Sequence, residues 1–198
     1  MVAALESRGA LERTILVFTS DNGYLFGEDR FSSEGLPFEE AIRVPLYVRY
    51  PAAESKRVED ALVINHDLAA TVGDLAGIEL PSMVDGRSIV PILGGVKPSP
   101  WRHHFLIQGS SYSRMGSKSP TCIALRTGTI EPGPSHLFVW WCEGEPGSIL
   151  DYCDMNSDPF QLTSSPAWVD PNTTEWIVKR VKGLRCCAGE DCTRLERR

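Results

Sequence analysis

The chain has 198 residues, 42% of them hydrophobic and 23% charged, with a net charge of −6. That is enough sequence for one large domain or two small ones. The acidic balance argues against a nucleic-acid partner, because gripping phosphates takes a basic face, and no apolar run approaches the length of a membrane span, so no membrane partner is expected. The N-terminus lacks the basic start, apolar middle and cleavage site of a signal peptide, which leaves the localisation unknown. It reads as the last turns of a helix, with Val2 and Leu5 on one face and Gly9 as the stop. A chain that opens mid-helix with no capping residue suggests sequence upstream. The continuous apolar run Ile15-Leu16-Val17-Phe18 suits a strand buried on both faces of a parallel sheet. Residues 24–40 form a long loop rich in Gly, Ser and acids, and loops of that length are commonly functional. A second strand is expected over 42–50, with Pro45 at its start marking an edge or a bulge. Residues 66–77 have the pattern of an amphipathic helix with Gly77 at the C-cap position.

The Gly/Pro-rich stretch 94–100 divides the chain into an α/β part, 1–95, and a smaller part, 96–198. In the second part short apolar runs at 105–107, 122–125 and 137–141 read as antiparallel strands. A helical period returns over 173–186, with Trp176, Ile177, Val181 and Leu184 on one side. Seven basic residues between Lys179 and Arg198 read as a solvated helix face and tail.

The strongest local chemistry is Ser20-Asp21-Asn22-Gly23, at the carboxyl end of the first strand, where open α/β sheets gather their ligands. Asp21 and Asn22 offer hard oxygen donors, which select Ca²⁺ or Mg²⁺ over Zn²⁺. Asp-Asn-Gly is also ordinary turn chemistry. His103 and His104 have no third ligand at helical spacing and read as a surface pair. His66-Asp67 reads as a helix start, with Asp67 near the positive end of the helix dipole. Trp140-Trp141 could form a sugar platform, although strand alternation sends one of the pair into the core. Of six cysteines, Cys187 and Cys192 flank Gly189 at a spacing that could close a small disulfide loop, the alternative being free thiols. Asn172-Thr173-Thr174 is a glycosylation sequon, meaningful only in a secreted protein.

Longer stretches carry a resemblance. They are Thr14 to Tyr24 with its Ser-Asp-Asn-Gly, Gly27-Glu28-Asp29-Arg30, Pro37 to Leu46 with its Ile-Arg-Val-Pro-Leu, Asn65 to Thr71, Asp85 to Leu93, Leu125-Arg126-Thr127, and Asp154 to Leu162. Together and in this order they resemble the sulfatase family, over nearly the whole chain. The Val139-Trp140-Trp141-Cys142 segment and the Cys-rich ending from Leu184 to Cys192 look most like fungal arylsulfatases and the N-acetylglucosamine-6-sulfatase branch. The resemblance implies the C-terminal portion of an alkaline-phosphatase-like α/β fold, with a partial sheet and a small C-terminal α+β subdomain. It implies hydrolysis of a sulfate ester substrate by a formylglycine hydrate, aided by one Ca²⁺, for which Asp21 and Asn22 match two ligands.

The departures are as informative. The Cys-x-Pro/Ala-x-Arg motif that becomes formylglycine is absent. Glu34 stands at the position of the family's sulfate-contacting Lys, and Asp29 at that of the His in Gly-Glu-His-Arg. No Lys occurs before position 56, so a local shift of alignment cannot restore one. No catalytic residue is assigned, and the chain alone is expected to be inactive. Three readings follow: a sulfuric ester hydrolase completed by a missing N-terminal half, a non-catalytic pseudoenzyme that binds a divalent cation or a sulfated glycan, and, less favoured, a phosphate or phosphonate ester hydrolase.

Overall fold

The structure is a computed structural model that describes residues 1–28, 31–53, 57–96, 98–109, 113–114, 117–118, 122–128, 135–141, 149–163 and 169–197. The chain opens with helix α1 (Val2–Ser7), a 3-10 turn (Leu11–Arg13) and strand β1 (Leu16–Phe18). A short hairpin follows, β2 (Leu25–Phe26) with β3 (Ser32–Ser33), then helix α2 (Glu39–Ile42) and strand β4 (Tyr47–Arg49). Helices α3 (His66–Leu75) and α4 (Val90–Leu93) complete this part. Strands β5 (His104–Gly109), β6 (Ser113–Arg114), β7 (Ser117–Lys118), β8 (Cys122–Thr127), β9 (His136–Trp141) and β10 (Ile149–Asp154) come next, and helices α5 (Pro171–Cys186) and α6 (Glu190–Leu195) end the chain.

Helix α3 stops as its sequence dictates. Gly77 adopts φ +64°, its N–H donates to the Asp74 carbonyl at 3.0 Å, and Ile78 N–H donates to Gly73 at 2.9 Å. This paired closure satisfies carbonyls that the helix end would otherwise leave bare. Helix α5 starts equally clearly: the Asp170 carboxylate accepts from the N–H groups of Asn172 (2.9 Å) and Thr173 (3.1 Å), and Pro171 fills the first helical position. The helix α6 and the strand β10 had no legible sequence signal of this kind.

The second part is built on a four-stranded antiparallel sheet, order β10-β9-β8-β5. Strand alternation sorts its side chains. On one face Ile123, Leu125 and Phe138 meet Ile177 and Val181 of α5. On the other, Cys122, Ala124, Leu137, Val139, Cys153 and Met155 form a second layer. Trp140 packs on the α5 side and Trp141 on the opposite side, both half-buried. The alternation is thus as expected, but neither ring is wholly in the core. Through Trp141 the second face reaches a cluster formed by Leu25, Leu36, Ala41, Phe31 and Phe38. The segment between β1 and β4, expected as a long loop over 24–40, thus holds the β2–β3 hairpin and the start of α2 and is packed against the sheet.

The first part differs from expectation at its strand. β1 pairs with β4, and the pairing is antiparallel, with Val17 opposite Val48 and Phe18 opposite Tyr47. No parallel neighbour exists among the described residues. Val17 is 49% exposed, Phe18 65% and Tyr47 69%. The apolar run has the composition of a doubly covered strand, but none of the described residues covers it.

Candidate functional site

The Thr19-Ser20-Asp21-Asn22-Gly23 turn leaves β1 and lines a broad, open cleft of about 1580 Å³, whose walls also carry Glu39, Arg126 and the segment 42–50. The turn is shaped by its own polar groups. The Asp21 carboxylate accepts from the Asn22 backbone N–H at 2.9 Å and from the Ser20 hydroxyl at 3.3 Å, and the Ser20 hydroxyl also reaches the Asn22 carbonyl at 2.8 Å. Gly23 is required by proximity: its N–H donates to Ala41 at 2.8 Å, and a Cβ there would sit 1.9 Å from the Glu40 carbonyl oxygen. Any side chain at 23 would push the turn off α2.

Helix α2 is itself held from the sheet. Glu39 N–H donates to the Gln161 side-chain oxygen at 2.7 Å, and Gln161 is buried with φ +55°. The Glu39 carboxylate accepts from Arg126 Nε at 2.8 Å, and Arg126 Nη1 donates to the Ser135 hydroxyl at 2.6 Å. Leu125-Arg126-Thr127 and the segment ending in Gln161 thus meet at α2. Their task is to position the floor against which the Asp21–Asn22 turn rests.

Asp21 is exposed and Asn22 half-buried. Among the described residues no three His, Cys, Asp or Glu side chains converge into a metal-holding group. Asp21 and Asn22 suit a hard cation in donor type, but they are two residues where Ca²⁺ takes about six to eight oxygens. They fit one wall of a cation site and cannot build it alone. Glu34 is exposed, and the two residues that follow it, Gly35 and Leu36, line the cleft. Asp29 and Cys142 lie outside the described residues.

A second cluster was read only in part from sequence. Asp67, fully buried at the start of α3, accepts two hydrogen bonds from the guanidinium of Arg102, at 2.6 and 2.9 Å. It also accepts from the backbone N–H groups of Ile64 and Arg87. Arg102 Nε donates to Glu196 at 2.8 Å, and Arg87 donates to the same Glu196 oxygen at 2.6 Å. Both guanidiniums lie over the Trp101 ring, 5.4 and 6.0 Å from its centre. Burial, reinforced by the nearby Arg102, lowers Arg87 to about 10. Burial works against charge on Arg102 too, but its bonds to Asp67 win and the net shift is upward. This knot fastens α3, the 85–88 turn and the strand entering the sheet to the end of α6. Asp67 had been expected only to serve the helix dipole; its bidentate partner lies 35 residues on, beyond any local pattern.

His104 corrects another expectation. It is 1% exposed, while His103 is exposed, so the two are not a surface pair. His104 meets Trp176 edge-on at 5.6 Å, and burial lowers it to about 4, which keeps it neutral. Cys187 and Cys192 are joined in a disulfide at the start of α6. Cys122 and Cys153 are buried outside the disulfide, and burial pushes the Cys122 thiol up to about 11, leaving it inert.

With that geometry in view, the comparisons decide the family. A family model described as "N-sulphoglucosamine sulphohydrolase, C-terminal" matches residues 27–129, more than half of the chain. The chain belongs to this sulfatase family. Human N-acetylglucosamine-6-sulfatase is 29% identical over 97% of the chain, and the N-acetylglucosamine-6-O-sulfatase of Bacteroides thetaiotaomicron is 41% identical over 50% of it. The sulfatase-family chain spans 39% of the human protein's length and 18% of the bacterial one is matched. Among solved structures, one in complex with its substrate D-glucosamine-2-N,6-O-disulfate superposes on 99% of this chain with a TM-score of 0.81 at 24% identity. The phosphonate monoester hydrolase of Agrobacterium radiobacter superposes on 92% with a TM-score of 0.75 at 22% identity. Both likenesses fix an alkaline-phosphatase-like fold, here a partial α/β one. They also show that this fold serves more than one ester chemistry. No described helix is long and apolar enough to cross a membrane.

Proposed function

We propose that this chain is the C-terminal part of a sulfuric ester hydrolase acting on sulfated amino sugars, and that it contributes Asp21 and Asn22 to a divalent-cation site, Ca²⁺ by its oxygen donors. The observation that carries the reading is the Ser-Asp-Asn-Gly turn, seated on α2 and opening into the broad cleft. The substrate class rests on relatives named for N-acetylglucosamine 6-sulfate. A cation in this place would neutralise sulfate oxygens and stabilise charge that develops as the ester bond breaks. The chain's own residues fix the turn: Gly23 and Ala41 set its distance from α2, and Gln161, Glu39 and Arg126 hold α2 to the sheet. No Cys-x-Pro/Ala-x-Arg occurs, so in this reading a formylglycine nucleophile is supplied from outside these 198 residues. Division of the chain near 94–100, with residues 1–95 serving the site and 96–198 bracing it, belongs to the same proposal.

Glu34 favours the second reading, a binding protein without turnover, because it stands where the family resemblance puts a sulfate-contacting Lys and a carboxylate in that role repels a sulfate. One experiment separates the two. The whole chain, residues 1–198, is joined to the catalytic N-terminal part of the Bacteroides N-acetylglucosamine-6-O-sulfatase in place of that protein's own C-terminal part, and sulfate release from N-acetylglucosamine 6-sulfate is measured with Glu34 and with Glu34→Lys. A graft that gains activity at least ten-fold with Lys, and loses it with Asp21→Ala, supports an enzyme site disabled at one position. A graft that folds, binds the sugar and stays silent with Lys supports the pseudoenzyme.

A further inference from the structure

Asn172-Thr173-Thr174 takes no part in the cleft or in the buried charge knot. It is the only Asn-x-Ser/Thr in the sequence, since Asn22, Asn65 and Asn156 lack the hydroxyl two residues on. Asn172 is exposed in the first turn of α5. It lies five residues before Ile177 and nine before Val181, the two side chains that α5 buries against the sheet. At about 100° per residue that places Asn172 some 140–180° around the helix from the buried stripe. The same C-terminal region holds the Cys187–Cys192 disulfide, a bond that persists in oxidising compartments, where glycans are attached to Asn-x-Ser/Thr.

We infer that Asn172 carries an N-linked oligosaccharide, and that it is attached before α5 folds. In the transfer, Asn172 Nδ2 forms a bond to C1 of the first N-acetylglucosamine of a lipid-pyrophosphate-linked oligosaccharide. The C1–O bond to the pyrophosphate breaks, the lipid pyrophosphate leaves with the bonding pair, and Nδ2 gives up one proton. The order of events comes from Asp170. In the folded cap its carboxylate holds the N–H of Asn172 and Thr173 and the Thr173 hydroxyl, and its carbonyl accepts from the Thr174 hydroxyl at 3.1 Å. The sequon is then wound into a helical turn, with the hydroxyl that the transfer depends on already engaged. Once attached, the glycan projects into solvent from a surface that does not line the cleft, and so leaves access to Asp21 and Asn22 open.

The test uses the natural protein purified from its source. Peptide mass spectrometry before and after N-glycosidase treatment should show one oligosaccharide on the peptide containing Asn172. The Asn172→Gln variant should lose that mass completely, and Thr174→Ser should keep it. Timing is tested in vitro with an oligosaccharyltransferase and a lipid-linked donor: a peptide spanning 168–178 should be modified, and the folded, unglycosylated protein should not. Unmodified Asn172 in the natural protein would overturn the site. Equal modification of the folded protein and the peptide would overturn the order.

Discussion

Two of the sheets of this molecule, β10-β9-β8-β5 and β1–β4, have similar apolar strands and opposite fates. In the β10-β9-β8-β5 sheet, Leu125, Leu137 and Val139 are almost wholly buried, because α5 covers one face and the Leu25–Leu36–Ala41 cluster abuts the other. In the β1–β4 pair, Val17, Phe18 and Tyr47 stand largely in solvent. The first sheet finds its partners within the chain, and the second does not. Chemistry follows the second: the turn proposed to hold a cation leaves the uncovered strand, and the covered side of the molecule acts on it through α2, which Gln161 and Arg126 bond at Glu39 and against which Trp141 packs. The region that can be stable by itself is therefore the one that lacks the site.

The contrast can be broken hardest at the knot that joins the two regions. Arg102→Ala leaves Asp67 buried without a guanidinium and Glu196 with Arg87 alone, and should cost about 3–5 kcal/mol, read as a lower urea midpoint. A loss under about 1 kcal/mol would mean the knot does not fasten the regions. Inside the covered sheet, Leu125→Ala should cost about 2–5 kcal/mol by the same measurement, because the side chain is fully buried between α5 and the strands.

A pH titration probes the same sheet through His104. Its folded value, near 4, lies below the ordinary 6.5, so the unfolded state binds the extra proton between those limits. Stability from this group is complete above pH 6.5 and falls as pH drops toward 4, by up to about 3 kcal/mol. His104→Gln should flatten that part of the curve. An unchanged slope would remove His104 as its source.

The smallest effect is expected on the open pair. Phe18→Ser with Tyr47→Ser should change stability by less than about 1 kcal/mol, since neither ring is buried, and should raise the concentration at which the isolated chain aggregates. Destabilisation as large as that of Leu125→Ala would show that the β1–β4 face is covered in solution.

Sequence alone reached the parts of this structure that local chemistry controls. Gly77 ends α3 because a left-handed residue closes that helix, and the strands around Leu125 and Phe138 alternate as their pattern demands. The family was legible too, because its motifs are runs of neighbours such as Ser-Asp-Asn-Gly. Contacts across long separations were not. Asp67 gave no hint of Arg102 or Glu196, and His104 looked like half of a surface pair, because burial is decided by α5 and α6 arriving from the far end of the chain. The run at 15–18 misleads in the opposite way: its composition is that of a covered strand, while among the described residues it pairs with a single antiparallel neighbour.

The central claim is that Asp21 and Asn22 form one wall of a divalent-cation site. Mn²⁺ titrated into the ¹⁵N-labelled Phe18→Ser/Tyr47→Ser chain tests it directly, since a paramagnetic ion broadens the amides nearest to it even when binding is weak. The account predicts that the signals of residues 20–23 and the Asn22 side chain broaden first, and that Asp21→Ala abolishes this. First broadening at Glu190 and Asp191, or a uniform loss of signal, would contradict it.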